Sequence, residues 1–94
     1  MARVKLTYFA GIAELTGVKE EEIEVRNGTT LADLLSKILP SRHPELKEFL
    51  KEAISSGRYL VVVNGRSYTS LPGGLGYKLR NGDMISVFPP LGGG

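Results

Sequence analysis

The residues with the clearest chemical capacity close the 94-residue chain: Phe88-Pro89-Pro90-Leu91-Gly92-Gly93-Gly94. Three glycines ending in a free carboxylate make a backbone tail without side chains. Such a tail can enter a channel that any Cβ would block. Pro89 and Pro90 stiffen its base, since each fixes φ and removes a backbone donor. Fully extended, Pro89 to Gly94 reaches ~20 Å at ~3.3–3.6 Å per residue. A terminal carboxylate has a pKa of ~3.3–3.7, so it is ionised at neutral pH and a poor electrophile. It needs activation before a nucleophile can attack it.

Little else in the chain offers chemistry. The absence of cysteine excludes disulfides, thiolate metal sites and a cysteine nucleophile. Any sulfur chemistry must take its sulfur from elsewhere. The single histidine, His43, precedes Pro44 at a helix start and reads as structural or exposed. Glu20-Glu21-Glu22 and Glu24 have no histidine nearby in the sequence and no calcium-loop spacing, so a solvated face is expected. Gly73-Gly74-Leu75-Gly76 superficially resembles a phosphate loop. It lacks the Lys-Ser/Thr pair and a following amphipathic helix, which leaves a flexible loop as the expectation. No nucleophile–base–orienter set is present, and an enzyme acting alone is not expected.

Composition fits one globular domain with a modest core. A net charge of +2 is too small to point to nucleic acid. Residues 1–52 hold eight basic and nine acidic side chains, net −1, whereas residues 53–94 set Arg58, Arg66, Lys78 and Arg80 against Asp83, net +3. A solvated surface is the simplest account; the alternative is that these cations steer the tail toward an acidic partner. No apolar run approaches a membrane span of ~18 residues, and no signal-peptide stretch opens the chain. The expectation is a cytoplasmic protein without membrane or nucleic-acid partners.

The elements that must position the tail follow from periodicity. Val4, Leu6 and Tyr8 alternate with Lys5, Thr7 and Phe9, the pattern of a half-buried strand. Ala10 to Thr16, closed by Gly17, reads as a short helical turn. Ile23 and Val25 face inward on a strand over Glu22 to Arg26, which ends at Asn27-Gly28. Thr30 is a good N-cap, and Asp33 gives an approximate capping box. Leu31, Leu34, Leu35, Ile38 and Leu39 follow helical spacing up to Pro40, which is expected to stop the helix. Pro44 opens a second helix with the stripe Leu46, Phe49, Leu50, Ala53 and Ile54, ended by Ser55-Ser56-Gly57. Tyr59 to Val63 is continuously apolar and suits a strand buried on both faces. Asn64-Gly65 turns it into a short return strand over Arg66 to Thr69. After a loop over Leu71 to Gly76, Asn81-Gly82-Asp83 turns into the last strand, Met84 to Phe88. Ile85 and Val87 share its inward parity, leaving Met84, Ser86 and Phe88 outward. The expected class is α+β, a mixed sheet with helices packed on one face.

With these residues in order, the chain resembles the MoaD family, the small subunit of molybdopterin synthase among the ubiquitin-like sulfur carriers. The resemblance covers nearly the whole chain. It rests on Val4-Lys5-Leu6-Thr7-Tyr8-Phe9-Ala10, Ala13-Glu14-Leu15-Thr16-Gly17, Gly28-Thr29-Thr30-Leu31-Ala32-Asp33-Leu34-Leu35, Val62-Val63-Asn64-Gly65, Leu79-Arg80-Asn81-Gly82-Asp83 and the Phe88-Pro89-Pro90 tail. It departs at Gly92, where the family often has serine, alanine or threonine, and in a longer glycine-rich segment from Tyr68 to Tyr77. The resemblance implies a β-grasp domain over residues 1–88 and a tail over 89–94.

It further implies that a MoeB-like E1 enzyme, using ATP and magnesium, adenylates Gly94, and that a sulfur donor makes a thiocarboxylate. A MoaE-like large subunit would receive the tail, and sulfur would pass to cyclic pyranopterin monophosphate. This chain would bind no cofactor itself. Gly92 and Gly93 would thread the channel; Phe9, Phe88, Pro89, Pro90 and Leu91 would meet the partner, unless the two aromatics are ordinary packing at strand ends. Two alternatives remain. Ubiquitin-like archaeal modifiers join their terminal glycine to target lysines, and some carriers feed tRNA thiolation. A non-covalent binding module with an idle tail is a third reading.

Overall fold

The computed structural model describes residues 1–56 and 60–88, apart from the side chains of Ala53 and Ser56. The elements run β1 (Ala2–Tyr8), α1 (Gly11–Thr16), β2 (Glu20–Val25), α2 (Leu31–Asp33), α3 (Leu39–Arg42), α4 (Lys47–Ser56), β3 (Leu60–Val63), β4 (Arg66–Ser67) and β5 (Met84–Phe88). The strands form one sheet in the order β2-β1-β5-β3-β4. β5 runs parallel to β1 and antiparallel to β3, while β1–β2 and β3–β4 are antiparallel. The sheet is therefore mixed, and the strand nearest the C-terminus lies at its centre.

Alternation sets the faces. Val4, Leu6, Tyr8, Ile23, Val25, Val61, Val63, Ile85 and Val87 are buried on one side. Leu6 pairs with Ile85 and Tyr8 with Val87, while Val63 and Val61 meet the same two residues from β3. The helices cover this side. Leu31, Leu34, Leu35, Leu39, Leu46 and Leu50 complete one continuous core with the strand residues.

Thr30 and Asp33 form a full capping box, each side chain bonded to the other's backbone N–H at 3.1 Å. Two orphan donors of the first helical turn are thereby satisfied. Leu31 N–H is bonded to the Tyr77 carbonyl at 2.9 Å, so the glycine-rich segment also caps this helix.

Four expectations are corrected. Pro40 does not stop the helix. A π-helical stretch, Leu34–Ile38, joins α2 to α3, and Leu39 N–H reaches back to the Leu34 carbonyl. The wider π-turn just upstream takes up the missing N–H and the ring clash that a regular α-helix would suffer at proline.

The apolar run of β3 is not buried on both faces. Val61 and Val63 are buried, but Leu60 and Val62 are only half-buried, because no helix among the described residues covers the second face. The glycine-rich loop is structured. Two 3-10 turns, Tyr68–Ser70 and Gly74–Gly76, hold Tyr68, Leu71, Leu75 and Tyr77 against the core. The return strand is correspondingly shorter than expected. The expected helix end at Gly57 and strand start at Tyr59, like the Ala53 side chain, lie outside the described residues.

The turn before β5 is tied by a buried carboxylate. Asp83 is 5 % exposed and accepts from Asn64 Nδ2 at 2.9 Å, the Tyr77 hydroxyl at 3.0 Å and Arg80 N–H at 2.8 Å. Its own carbonyl accepts from Lys5 N–H at 2.9 Å. Asn64 completes the link by accepting from Met84 N–H at 2.9 Å. Asp83→Ala strands these donors, and hydrogen bonds to a charged group are worth about 1.5–3 kcal/mol. Chemical denaturation should show a loss of about 2–3 kcal/mol. A loss below about 0.5 kcal/mol would mean the carboxylate is dispensable for seating β5.

Candidate functional site

The base of the tail is where the two expected contact aromatics meet. β1 and β5 are parallel, so their C-terminal ends lie side by side. Phe9 follows Tyr8 and Phe88 follows Val87, and the two rings stack with centroids 4.3 Å apart and planes 9° off parallel. Phe9 is 38 % exposed, and Phe88 is half-buried. Ala10 then turns the chain away with φ at 51°, a conformation L-residues rarely adopt. The Ala10 carbonyl accepts from Ala13 N–H at 3.0 Å, and Phe9 N–H reaches the Val87 carbonyl at 3.4 Å. The sharp turn thus comes immediately after the Phe9 ring. Sequence alternation shows the parity of Phe9 but carries no signal for the strained alanine.

Around the stack, the uncovered face of the sheet is apolar at its centre. Leu60 pairs with Phe88 across β3–β5, Val62 lies two residues on, and Met84 is 49 % exposed at the other end of β5. The stacked rings and these aliphatic side chains form the kind of exposed apolar patch that marks an interaction surface.

The β1–β2 side of the same face is charged. Arg3 meets Glu24 at 3.0 Å and Glu22 at 3.8 Å, and Lys5 meets Glu20 at 3.5 Å. These cross-strand pairs also guard the exposed edge of β2 against pairing with another strand. The open face therefore carries an apolar stripe over β5–β3 beside a self-neutralised charged stripe.

Of the expected site residues, the structure brings Phe9 and Phe88 together. Pro89, Pro90, Leu91, Gly92, Gly93 and Gly94 lie outside the described residues. Among the expected steering cations, Arg66 donates to the Ser70 carbonyl at 3.1 Å and Lys78 and Arg80 are exposed, while Arg58 lies outside the described residues.

A second cluster was not anticipated. Glu20, Glu22 and Glu24 face solvent as expected, but Glu21 turns inward and finds His43. Glu21 Oε2 accepts from the Tyr8 hydroxyl at 2.6 Å and from His43 Nε2 at 2.5 Å, while Oε1 accepts from Arg42 at 3.0 Å. An ionised carboxylate only accepts, so Nε2 carries the proton. His43 Nδ1 faces Glu45 at 3.5 Å, and its ring meets Tyr8 edge-on at 5.8 Å.

Burial pushes the Glu21 carboxyl up, but its bonds from Tyr8, His43 and Arg42 outweigh that and hold it below its ordinary value. Burial, and then Glu21, push the Tyr8 hydroxyl far up. The buried polar side-chain atoms here are all paired, so the cluster pins the α3–α4 corner to β2 and β1. A signal existed in the sequence. Glu21 has the same parity as Ile23 and Val25, which places it inward.

Three comparisons bear on this geometry. Residues 6–94 match the model of the ThiS family. The molybdopterin synthase sulfur carrier subunit of Homo sapiens is 34 % identical over 94 residues, covering 100 % of this chain and 97 % of that protein. A solved structure of a putative molybdopterin converting factor, subunit 1, from Pyrococcus furiosus superposes with a TM-score of 0.77 at 33 % identity, covering 97 % of this chain and 100 % of that one. The solution structure of small archaeal modifier protein 1 from Methanosarcina acetivorans superposes with a TM-score of 0.81 at 28 % identity, covering 100 % of this chain and 98 % of that one.

The Glu21 cluster predicts a specific acid response. A carboxyl held below its ordinary value of 4.5 contributes stability above that pH and loses it as pH falls through the folded-state value. Glu21→Gln should cost about 2 kcal/mol near neutrality. The gap from the wild type should close as unfolding is measured below about pH 4.5. A gap that stays constant through this range would show that ionised Glu21 is not what holds the corner.

Proposed function

Because the chain belongs to the ThiS family and has its ubiquitin-like β-grasp fold, we propose that it is a MoaD-type sulfur carrier of molybdopterin synthase working through Gly94. One placement carries this reading: the Phe9–Phe88 stack sits where central strand β5 passes into Pro89-Pro90-Leu91-Gly92-Gly93-Gly94. The family match supports it by running through that same stretch to Gly94. A partner that docks on the stack would receive the tail at a defined point.

In the proposed cycle, the Gly94 carboxylate attacks the α-phosphorus of ATP on a MoeB-like E1 enzyme with magnesium. Pyrophosphate leaves, and an acyl-adenylate remains. A sulfur donor displaces AMP and gives the thiocarboxylate. A MoaE-like large subunit takes the tail, Gly92 and Gly93 passing through its channel. Sulfur then transfers to cyclic pyranopterin monophosphate. Pro89, Pro90 and Leu91 contact the partner beside Phe9 and Phe88. Catalytic side chains come from the partners, and this chain supplies the carrier group. The division suits a chain without cysteine.

The archaeal modifier likeness favours a second reading with the same first step. A lysine amine of another protein would attack the carbonyl of the acyl-adenylate, releasing AMP and a proton, and form an isopeptide bond. A carrier for tRNA thiolation differs only in where the sulfur goes.

Intact mass after incubation with an E1-like enzyme, ATP and a sulfur donor should show one oxygen replaced by sulfur. Unchanged mass, with the enzyme active on another carrier, would sink the carrier reading. Adding MoaE and the pterin precursor should consume the thiocarboxylate; adducts on lysines would instead establish the modifier. Removal of Gly93-Gly94 should abolish function, and undiminished function would overturn both readings.

Phe88→Ala should weaken large-subunit binding by about tenfold or more, as a central aromatic anchor does. Its unfolding midpoint should stay close to the wild type. Unfolding instead would make the aromatic stack a packing element.

A further inference from the structure

The helical side of the molecule carries a groove that the proposed carrier role leaves unused. It lies between the π-helical stretch with Pro40 on one wall and α4 on the other, with a volume of about 340 Å³. That is within the range of ligand-binding clefts. The gap has a local cause. Ser36 and Pro40 stand four residues apart on one wall and Ser55 faces them from the other, so no large side chain fills the space beside Leu35. Leu35 is 1 % exposed, and Ile54, which packs against the core, completes the apolar lining.

The charge of the lining is one-sided. Lys47 and Lys51 are its only ionisable residues among those described, and both are exposed. Among the described residues, no carboxylate comes within 4.0 Å of either ammonium. They stand four residues apart on α4, where like charges repel, and Glu48, three residues before Lys51, offsets only part of that repulsion. Glu48 and Glu52 lie on the neighbouring flank of α4 and line a different depression, which shares Lys51 and Ser55.

We infer that this groove docks an acidic peptide segment of a partner protein, with one leucine- or phenylalanine-sized side chain seated between Leu35, Pro40 and Ile54. Carboxylates flanking that anchor would reach Lys47 and Lys51. The lysine stems would cover the anchor while their ammonium groups stay in water. The helices cover the face of the sheet opposite the Phe9–Phe88 stack, so the groove opens away from that stack. A partner held here leaves the stack free, and two proteins can bind at once.

The test is a titration of the full ¹⁵N-labelled chain with a blocked Glu-Glu-Leu-Glu-Glu peptide, read by amide shifts. Saturable shifts are expected at Ser36, Lys47, Lys51 and Ser55, without change at Phe9 and Phe88. Replacing the peptide's leucine by alanine, or the double change Lys47→Glu and Lys51→Glu, should weaken binding by about tenfold or more. Binding should also fall with added salt. Shifts spread evenly over all exposed lysines, shifts confined to the sheet face, or no saturation would each overturn the proposal. Concentration-dependent shifts at the groove without peptide would overturn it in favour of a second copy of the chain.

Discussion

The seating of β5 between β1 and β3 is the constraint on which the rest of the structure depends. Its parallel partner is the first strand of the chain, so the sheet closes only when the crossover carrying every helix has been laid down. Side chains alternate along a strand, and a slip of one residue would turn Ile85 and Val87 out and Phe88 in. Asp83 prevents that slip from the turn. It binds Asn64 at the end of β3, Tyr77 and the Arg80 N–H, while its carbonyl takes the Lys5 N–H of β1. Inward packing of two residues thus fixes the outward position of the third, and the chain's last described residue is placed by its core.

Helices on one face leave the other face open, and the open face is not uniform. Glutamates on β2 are answered by Arg3 and Lys5 on β1, so that half is neutralised within the fold. The half over β5 and β3 carries the stacked aromatics, Met84 and the half-buried Leu60 and Val62. The boundary runs between neighbouring strands. A partner approaching this face meets apolar surface bordered by satisfied charges, which contribute little affinity but disfavour misplaced contacts.

Strand parity was legible because it is local: Val4, Leu6 and Tyr8, Ile23 and Val25, and Ile85 and Val87 all face as their alternation predicts. The capping box of Thr30 and Asp33 was equally plain, being confined to four residues. The failures came where the local helix type departs from a regular α-helix, or where a residue's meaning depends on distant chain. Pro40 ends a regular α-helix, but the π-turn before it changes the ladder that proline would break. Glu21 and His43 lie 22 residues apart, and only the packing of the α3–α4 corner onto the sheet joins them. Within the site, Phe9 and Phe88 could be assigned to the outward parity, but their direct stacking required the parallel β1–β5 pairing. The β3 error has a sharper lesson. An apolar run looks the same whether its second face meets a helix or is left open, since hydrophobicity reports burial without naming the cover.

A tail of glycines cannot carry much identity of its own. It has no side chains to be read, so discrimination between partners must reside on the folded part. This explains how proteins named as sulfur carriers and as modifiers can share this fold at about 28–34 % identity. Under the proposed function, activation of the Gly94 carboxylate asks only for reach, slenderness and a free end. Delivery asks for different surfaces. Under the proposed function, the recipient of the sulfur is therefore determined by what recognises the Phe9–Phe88 face. A donor group reaches a defined acceptor only when the residue before its tail is held in position, and central strand β5, hydrogen-bonded on both sides, holds Phe88.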